Sequence, residues 1–375
     1  MLHVVHINSE TGYSGGEAQI FMLLEGLRAR GHEVVLICPP DSASEGEAPS
    51  RGLAHRTVAM RNQTDLAAVV RLRREIAAAR ADVVHLHTGR ANWLGGLAAR
   101  WAGVPAVSTR RMDRRVRPGL GTRLLYGTLL QRTAAISPAV RDLLIAGGVP
   151  ADDVEVIVDA VDPQALRPAH FRDAVRTRLG ASDDDCVLLA VAALVRRKGV
   201  DVLLEAVAGL GAAGTRAPLW IVGEGAERPI LEQQARSIGV ASQVSFFGRR
   251  DDIADLLHAA DVVVVPSRRE GMGVAALEAM AAGRAVVASD VGGLGYAVVH
   301  ERTGLLVPPE DAAALASGLA RLIRDPELRQ RLAAEGPRRI AEEFLPQQMI
   351  DAYEKLYLRM ALRSPLPAAG RGLGG

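Results

Sequence analysis

The sequence predicts an α/β fold with two doubly wound, parallel-sheet domains. Short β-branched runs alternate with helical stretches along almost the whole chain, which is the pattern of βαβ units. The alternation breaks once, at the polar, proline-bearing segment 162–168, and then restarts. At 375 residues the chain is also long for one domain.

In the first half, strands are predicted at 2–7, 33–38, 82–87, 106–109, 133–136 and 155–158. Helices are predicted between them at 17–30, 65–80 and 91–102, with Gly31-His32 and Gly103-Val104-Pro105 as stops. After the break, strands are expected at 186–192, 219–222, 244–247, 262–265, 285–288 and 305–307. Helices follow at 200–210, 251–260, 311–324 and 326–344. These boundaries give a first domain over 1–165 and a second over 166–346. A last helix over 347–362 is expected to pack back toward the first domain, and a Pro/Gly-rich tail, 363–375, is expected to be disordered. Paired doubly wound domains bind a ligand at the carboxyl ends of their strands, here in the cleft expected between the domains.

Composition narrows the function classes. Apolar residues make up 49% of the chain, enough for real cores, and the formal charge of +2 gives no bulk attraction to nucleic acid. Arginine far outnumbers lysine, because Lys198 and Lys355 are the only lysines. Cys38 and Cys186 sit in apolar runs and read as buried hydrophobes in a reducing compartment. No apolar run reaches the ~18 residues of a membrane span. The first eight residues have no basic n-region and read as a strand. A cytoplasmic protein is expected, with peripheral contact to the inner membrane face left open.

Four strings carry chemistry. Thr11 to Gln19 contains Gly15-Gly16 directly after the first strand; glycines there permit a tight turn, and the following helix offers unpaired N–H groups to an anion. The string is not a G-x-G-x-x-G fingerprint, which argues against a dinucleotide oxidoreductase. Asp82-Val83-Val84-His85-Leu86-His87 puts two histidines on one side of a strand, His87 at its carboxyl end; a lone strand-end histidine is most often structural. Ala193 to Gly199 clusters Arg196, Arg197 and Lys198 at a helix start, which suits a diphosphate or is a solvated basic turn. Pro266 to Gly283 holds Glu270 and Glu278 around a Gly271-Met272-Gly273 turn that opens a helix. The amides of Met272, Gly273 and Val274 are expected to lie free there.

Together these strings resemble the donor-sugar site of retaining glycosyltransferases of family 4, which have the GT-B fold. The resemblance covers roughly residues 1 to 360 and is closest in the second half. It implies that His87, Arg197, Lys198 and Glu270 form the catalytic set. His87 lies near the transferred sugar, Lys198 meets the diphosphate and Glu270 meets the sugar hydroxyls. Gly15, Gly16, Arg196, Gly248, Arg249, Gly271, Met272, Gly273, Val274 and Glu278 are the implied donor-binding residues. Of these, Glu278 accepts from the ribose, and the Phe246-Phe247-Gly248-Arg249 backbone meets the nucleobase.

The chain departs from the family in places. The family arginine falls at Ala193, which leaves Arg197 or Arg196 as candidates for that charge, and the usual proline and glutamate after the Ser289–Leu294 loop are replaced by Gly295-Tyr296. The junction string reads Asp159-Ala160-Val161-Asp162 where the family has Asn-Gly-Val-Asp.

The implied activity moves a sugar, with retention, from a nucleotide-diphosphate sugar to a glycan or lipid-linked acceptor, in cell-envelope polysaccharide or lipopolysaccharide synthesis. A GT-B sugar-nucleotide epimerase and a non-catalytic sugar-nucleotide-binding protein are the alternatives. Neither a cofactor nor a metal is expected. Asp183-Asp184-Asp185 precedes a strand and reads as a polar loop, and no His/Cys cluster has ligand spacing. Arg110, Arg111, Arg114, Arg115 and Arg117, in the acceptor half, read as a solvated loop or as a contact for an anionic acceptor or membrane surface. No nucleic-acid partner is expected, since the loop lacks interleaved aromatics.

Overall fold

A computed structural model describes residues 1–363. The chain forms two compact units, Met1–Val158 with the segment from Pro346, and Asp159–Leu345. The tail expected to be disordered lies outside the described residues, except Arg363, which ends the last helix.

The first unit is built on a seven-stranded parallel sheet: β1 (His3–Ile7), β2 (Glu33–Cys38), β3 (Ala54–Thr57), β4 (Val83–Leu86), β5 (Ala106–Arg110), β6 (Arg132–Ala135) and β7 (Val154–Val156). The order is β3-β2-β1-β4-β5-β6-β7. Helices α1 (Gly15–Ala29), α2 (Ala43–Ser50), α3 (Leu66–Ala78), α4 (Gly89–Ala102), α5 (Leu120–Leu124) and α6 (Pro138–Ala146) connect the strands. The sequence explains their starts, since Ser14, Ser42, Asp65, Thr88 and Ser137 each cap an otherwise unpaired first-turn amide. Strand β3 was not foreseen. Its Ala-His-Arg-Thr is polar and mostly exposed, because an edge strand pairs by backbone alone and needs no apolar run.

The second unit carries β8 (Leu188–Val191), β9 (Leu219–Val222), β10 (Val244–Gly248), β11 (Val262–Val265), β12 (Ala285–Ser289) and β13 (Leu305–Val307). They form a six-stranded parallel sheet in the order β10-β9-β8-β11-β12-β13. Around it lie α7 (Arg172–Arg178), α8 (Val200–Ala212), α9 (Arg228–Ser237), α10 (Ile253–Ala259), α11 (Val274–Ala281), α12 (Leu294–Ala297), α13 (Ala312–Arg324) and α14 (Pro326–Glu343). Leu203, Leu204 and Val207 of α8 meet Leu315, Leu319 and Leu322 of α13 in one fully buried cluster over the strands. Truncating any of these leucines to alanine costs ~2–5 kcal/mol. The fully buried Arg176 donates to the carbonyls of Ser182, Asp183 and Asp185 and pairs with Asp261. The Asp183–Asp185 segment is therefore a loop that satisfies a buried cation.

The last helix, α15 (Pro346–Arg363), belongs to the first unit. Gly26 of α1 leaves room for the Ile350 side chain against it. Arg30 pairs with Asp351 and Glu354 at 2.5 Å, and His32 meets Glu354 at 2.8 Å. Among the described residues no helix is long and apolar enough to cross a membrane.

Candidate active site

A doubly wound sheet presents a ligand crevice where its strand order reverses, at the carboxyl ends of the strands. That place is β8/β11 in the second unit and β1/β4 in the first. Each unit gathers sequence-predicted residues at its own switch point.

In the second unit, the chain leaving β8 makes a tight turn, Arg196–Lys198, and the chain leaving β11 makes the loop 266–273. Arg268 clamps the two. Its guanidinium bonds both carboxylate oxygens of Asp201 at 2.7 Å and the Arg196 carbonyl at 2.8 Å, while its amide donates to the Arg197 carbonyl at 2.9 Å. Gly199 completes the approach. Its φ is +66°, and a Cβ there would run into the Pro266 carbonyl oxygen. The clamp delivers Lys198 to Glu270, whose Oε2 accepts from Nζ and also from Ser267 Oγ at 3.2 Å. Glu270 is only 9% exposed. Gly292 sits against the Glu270 carbonyl from the other side, where a Cβ would collide, and Gly293 N–H donates to that carbonyl at 3.1 Å.

Helix α11 starts beside this pair. Gly273 is its N-cap and supplies no side-chain acceptor. Among the described residues nothing accepts from the amides of Met272, Gly273 or Val274. The helix start therefore leaves backbone donors without an acceptor, as an anion site requires. Glu278, one turn further in, is half-buried, and burial pushes its pKa up to about 7. No hydrogen-bond donor to its carboxyl is found among the described residues.

The remaining second-unit predictions separate. Arg196 and Arg197 are exposed, and their backbone carbonyls hold Arg268, so the structure brings Lys198 to Glu270 without bringing either arginine to that pair. Gly248 ends β10 after a bulge, with its carbonyl accepting from Gly223 N–H at 2.8 Å, and Arg249 is exposed. Tyr296, where the family resemblance lapses, is tied to α14 by Glu343 at 2.6 Å. Arg268, Asp201 and Ser267 were missed. Arg268 and Ser267 lie within the Pro266 string, but no spacing rule gives a clamp that closes only in three dimensions.

In the first unit the Gly15-Gly16 expectation needs correction. Both glycines lie inside the first turn of α1, not in a turn before it, and neither has a positive φ. Ser14 is the cap. Its hydroxyl accepts from the Gly16 amide and from the third helical amide, and Glu17 accepts from the Ser14 amide at 2.8 Å and from the Ser14 hydroxyl at 2.6 Å. This capping box occupies the second and third helical amides and places a buried carboxylate at the helix start. A Cβ on Gly15 would meet only open space.

His87 follows β4 and is 6% exposed. It meets two further histidines, His6 of β1 and His85 of β4, both fully buried. His6 Nδ1 lies 3.0 Å from His87 Nε2, and the His85 and His87 rings are 4.0 Å apart by centroid. His85 is held by both nitrogens, at 2.6 Å from the Tyr357 hydroxyl and 2.7 Å from Thr109 Oγ1, and Thr109 meets Tyr353 at 2.7 Å. Burial, reinforced by the neighbouring histidines and Arg111, holds His85 and His87 well below the usual histidine range, and burial lowers His6 to about 3. The rings are neutral.

The three histidines offer ligand atoms within 4.8 Å of one another. The sequence hid this cluster, because His6 and His87 lie 81 positions apart. A metal needs lone pairs converging on one point ~2.0–2.1 Å from each nitrogen. Here His6 Nδ1 and His87 Nε2 face each other at hydrogen-bond distance, and both His85 nitrogens face hydroxyls. As placed, the three rings form a hydrogen-bond network.

The arginine loop divides. Arg110 folds onto the Met112 and Arg114 carbonyls. Arg111 turns inward, with Nη1 3.5 Å from His87 Nδ1 and its stem beside Gly16. Arg114, Arg115 and Arg117 are exposed and have no carboxylate partner among the described residues. Met112, Leu120 and Leu124 are exposed in the same stretch, at 46%, 84% and 46%.

Comparison with known proteins accords with this geometry. Residues 171–339 match the model for glycosyl transferases group 1, and residues 13–165 match that for Glycosyltransferase Family 4. A D-inositol 3-phosphate glycosyltransferase of Jonesia denitrificans is 34% identical over 70% of this chain and 68% of its own length. Against two Rhodococcus proteins of that name, the match covers 49% of their length. A glycogen synthase of Mycobacterium tuberculosis is 32% identical over 77% of this chain and 72% of its own. The crystal structure of Anabaena HepE with UDP aligns over 96% of this chain and 100% of its own, with a TM-score of 0.85 at 20% identity. The chain therefore belongs to the group 1, family 4 glycosyltransferases and has their GT-B fold.

Proposed function

We propose that this chain is a retaining glycosyltransferase that moves a sugar from a nucleotide-diphosphate sugar to a hydroxyl of an anionic glycan, polyol or lipid-linked acceptor, without a metal. The observation that carries the reading is the Lys198–Glu270 pair beside the uncapped start of α11.

In this reading the diphosphate sits on the amides of Met272, Gly273 and Val274 and competes with Glu270 for the Lys198 ammonium. Glu270, released from Lys198, accepts from hydroxyls of the donor sugar. Glu278 accepts from the ribose. As the glycosidic bond to phosphate breaks, charge grows on the leaving oxygen, and fixed N–H donors with one ammonium stabilise it with little reorganisation. Arg196 and Arg197, both exposed, can swing to the same phosphates. His87 is kept as a sugar contact on the family resemblance. No paired nucleophile and acid carboxylates are assigned, so the leaving phosphate takes the acceptor proton on the same face.

Support for an anionic acceptor comes from Arg114, Arg115 and Arg117, and from relatives named for inositol 3-phosphate. The relatives named above give lipopolysaccharide no particular support. With Met112, Leu120 and Leu124 exposed alongside, the same stretch also suits the surface of an anionic bilayer.

A thermal-shift screen with UDP-, GDP-, ADP- and dTDP-sugars identifies the donor, because a ligand of the native state raises its stability. No shift with any of them would sink the donor reading. Transfer is then assayed with inositol 3-phosphate, glycogen and lipopolysaccharide core, with chelator present and absent. The product's anomeric configuration by NMR tests retention. Release of a new sugar nucleotide without acceptor would mark an epimerase, and binding without turnover a non-catalytic protein. Converting Arg114, Arg115 and Arg117 to glutamate should weaken sedimentation with anionic liposomes; equal binding would remove the membrane contact.

A further inference from the structure

We propose that His6 is a positioning residue that fixes the tautomer of His87, so that His87 keeps an unprotonated Nδ1 and serves as a hydrogen-bond acceptor. This rests on the reading of His87 as a sugar-facing residue.

His6 lies in β1, and its ring meets that of His87 edge to edge, with planes 11° apart and centroids at 5.2 Å. One hydrogen bond joins them, between His6 Nδ1 and His87 Nε2 at 3.0 Å. Across the His87 ring, Arg111 Nη1 stands 3.5 Å from Nδ1. A guanidinium has donors only, so the nitrogen it faces carries a lone pair. A neutral imidazole has one N–H, which must then be on His87 Nε2. That N–H donates to His6 Nδ1, and His6 must hold its own proton on Nε2.

His6 Nε2 is buried and has no hydrogen-bond partner. Orphaned buried N–H groups are rare, because they give up a hydrogen bond to water and gain none. An apolar side chain at position 6 would avoid that loss but could not accept from His87. The orphan is the consequence of setting His87 from below. Burial keeps both rings neutral, as this assignment of protons requires. His85 supports the arrangement from the side, since Tyr357 and Thr109 hold both its nitrogens while its ring lies 4.0 Å from that of His87.

The test is nitrogen-15 NMR of the histidine rings in the full, ligand-free chain. Wild type should show His87 protonated at Nε2 and bare at Nδ1. His6→Asn, whose side-chain carbonyl stands where Nδ1 stood, should keep that pattern. His6→Phe, which has no acceptor, should populate the other tautomer, while His170 and His300 of the second unit stay unchanged as controls. A wild-type His87 protonated at Nδ1 overturns the proposal even if a variant fails to fold, and so does an unaltered His87 in folded His6→Phe. Donor turnover by His87→Ala tests the reading of His87 separately. Full turnover there would retire that reading and leave the ring spectra to decide the tautomer, so the two failures are distinguishable.

Discussion

Of the helix starts expected to meet phosphate, that of α1 after the first strand and that of α11 after Glu270 differ in what already occupies their amides. At α1, Ser14 and Glu17 form a capping box, so the second and third amides are taken and a carboxylate stands in the way. At α11, Gly273 has no side chain to offer, and an ammonium waits on a carboxylate next door. A glycine-rich helix start is an anion site only when its own side chains do not satisfy it first.

The largest effect that bears on this contrast is at Lys198. Lys198→Ala should lower turnover by ~10²-fold or more. Steady-state rates with the donor chosen by the screen will show it, and an unchanged kcat would remove Lys198 from leaving-group stabilisation.

Next is Glu270→Gln, which removes the charge that competes with phosphate. Turnover should fall by ~10-fold or more, as a charged hydrogen-bond acceptor for the sugar is lost. Binding of the plain nucleoside diphosphate should hold or tighten. Weaker diphosphate binding by calorimetry would show that Glu270 organises the anion site instead of competing for its lysine.

Glu278 gives a pH signature. Its carboxyl is raised from 4.5 to about 7 by burial. The folded state therefore favours the protonated form, and the stability this contributes is present below 4.5 and is lost as pH rises through about 7. Ribose hydroxyls donate to the ionised form, so nucleotide affinity should rise with pH over the same window, by at most ~10-fold per unit. Glu278→Gln should flatten that slope, and a slope persisting in the variant would place the titrating group elsewhere.

The smallest effect tests the other helix start. Ser14→Ala should cost ~1 kcal/mol of stability through loss of the cap, read as a lower urea midpoint. Nucleotide affinity should change by less than about twofold, about 0.4 kcal/mol. A large loss of affinity would mean that α1 joins the diphosphate site after all, and would break the contrast.

Much of this protein was legible along the chain. Central parallel strands are buried on both faces and favour near-continuous apolar runs, so β8, β9, β11 and β12 stand out along the chain. Strand β3 did not stand out, because an edge strand has no such requirement. Lys198, Glu270 and Glu278 are legible as candidates because strings near strand ends are local in sequence and carry their chemistry in one stretch. Gly15 and Gly16 read as a turn by their glycines alone, while Ser-x-x-Glu at Ser14–Glu17 is the local signal that the helix starts before them. His6 gave no such signal, since a single histidine in an apolar strand has no pattern.

By itself, then, the sequence determined the fold class, the two sheets and the family, because alternation and local motifs report each residue's immediate neighbours. Only the tertiary structure decided which helix start is free, that Arg268 clamps one loop to the other, that Arg111 turns in while Arg114 and Arg115 stay out, and that three histidines form one network. Hydrogen bonds such as His6 to His87 close between strands far apart along the chain. A bond of that kind depends on where the sheet lays the backbone, and no local spacing encodes it.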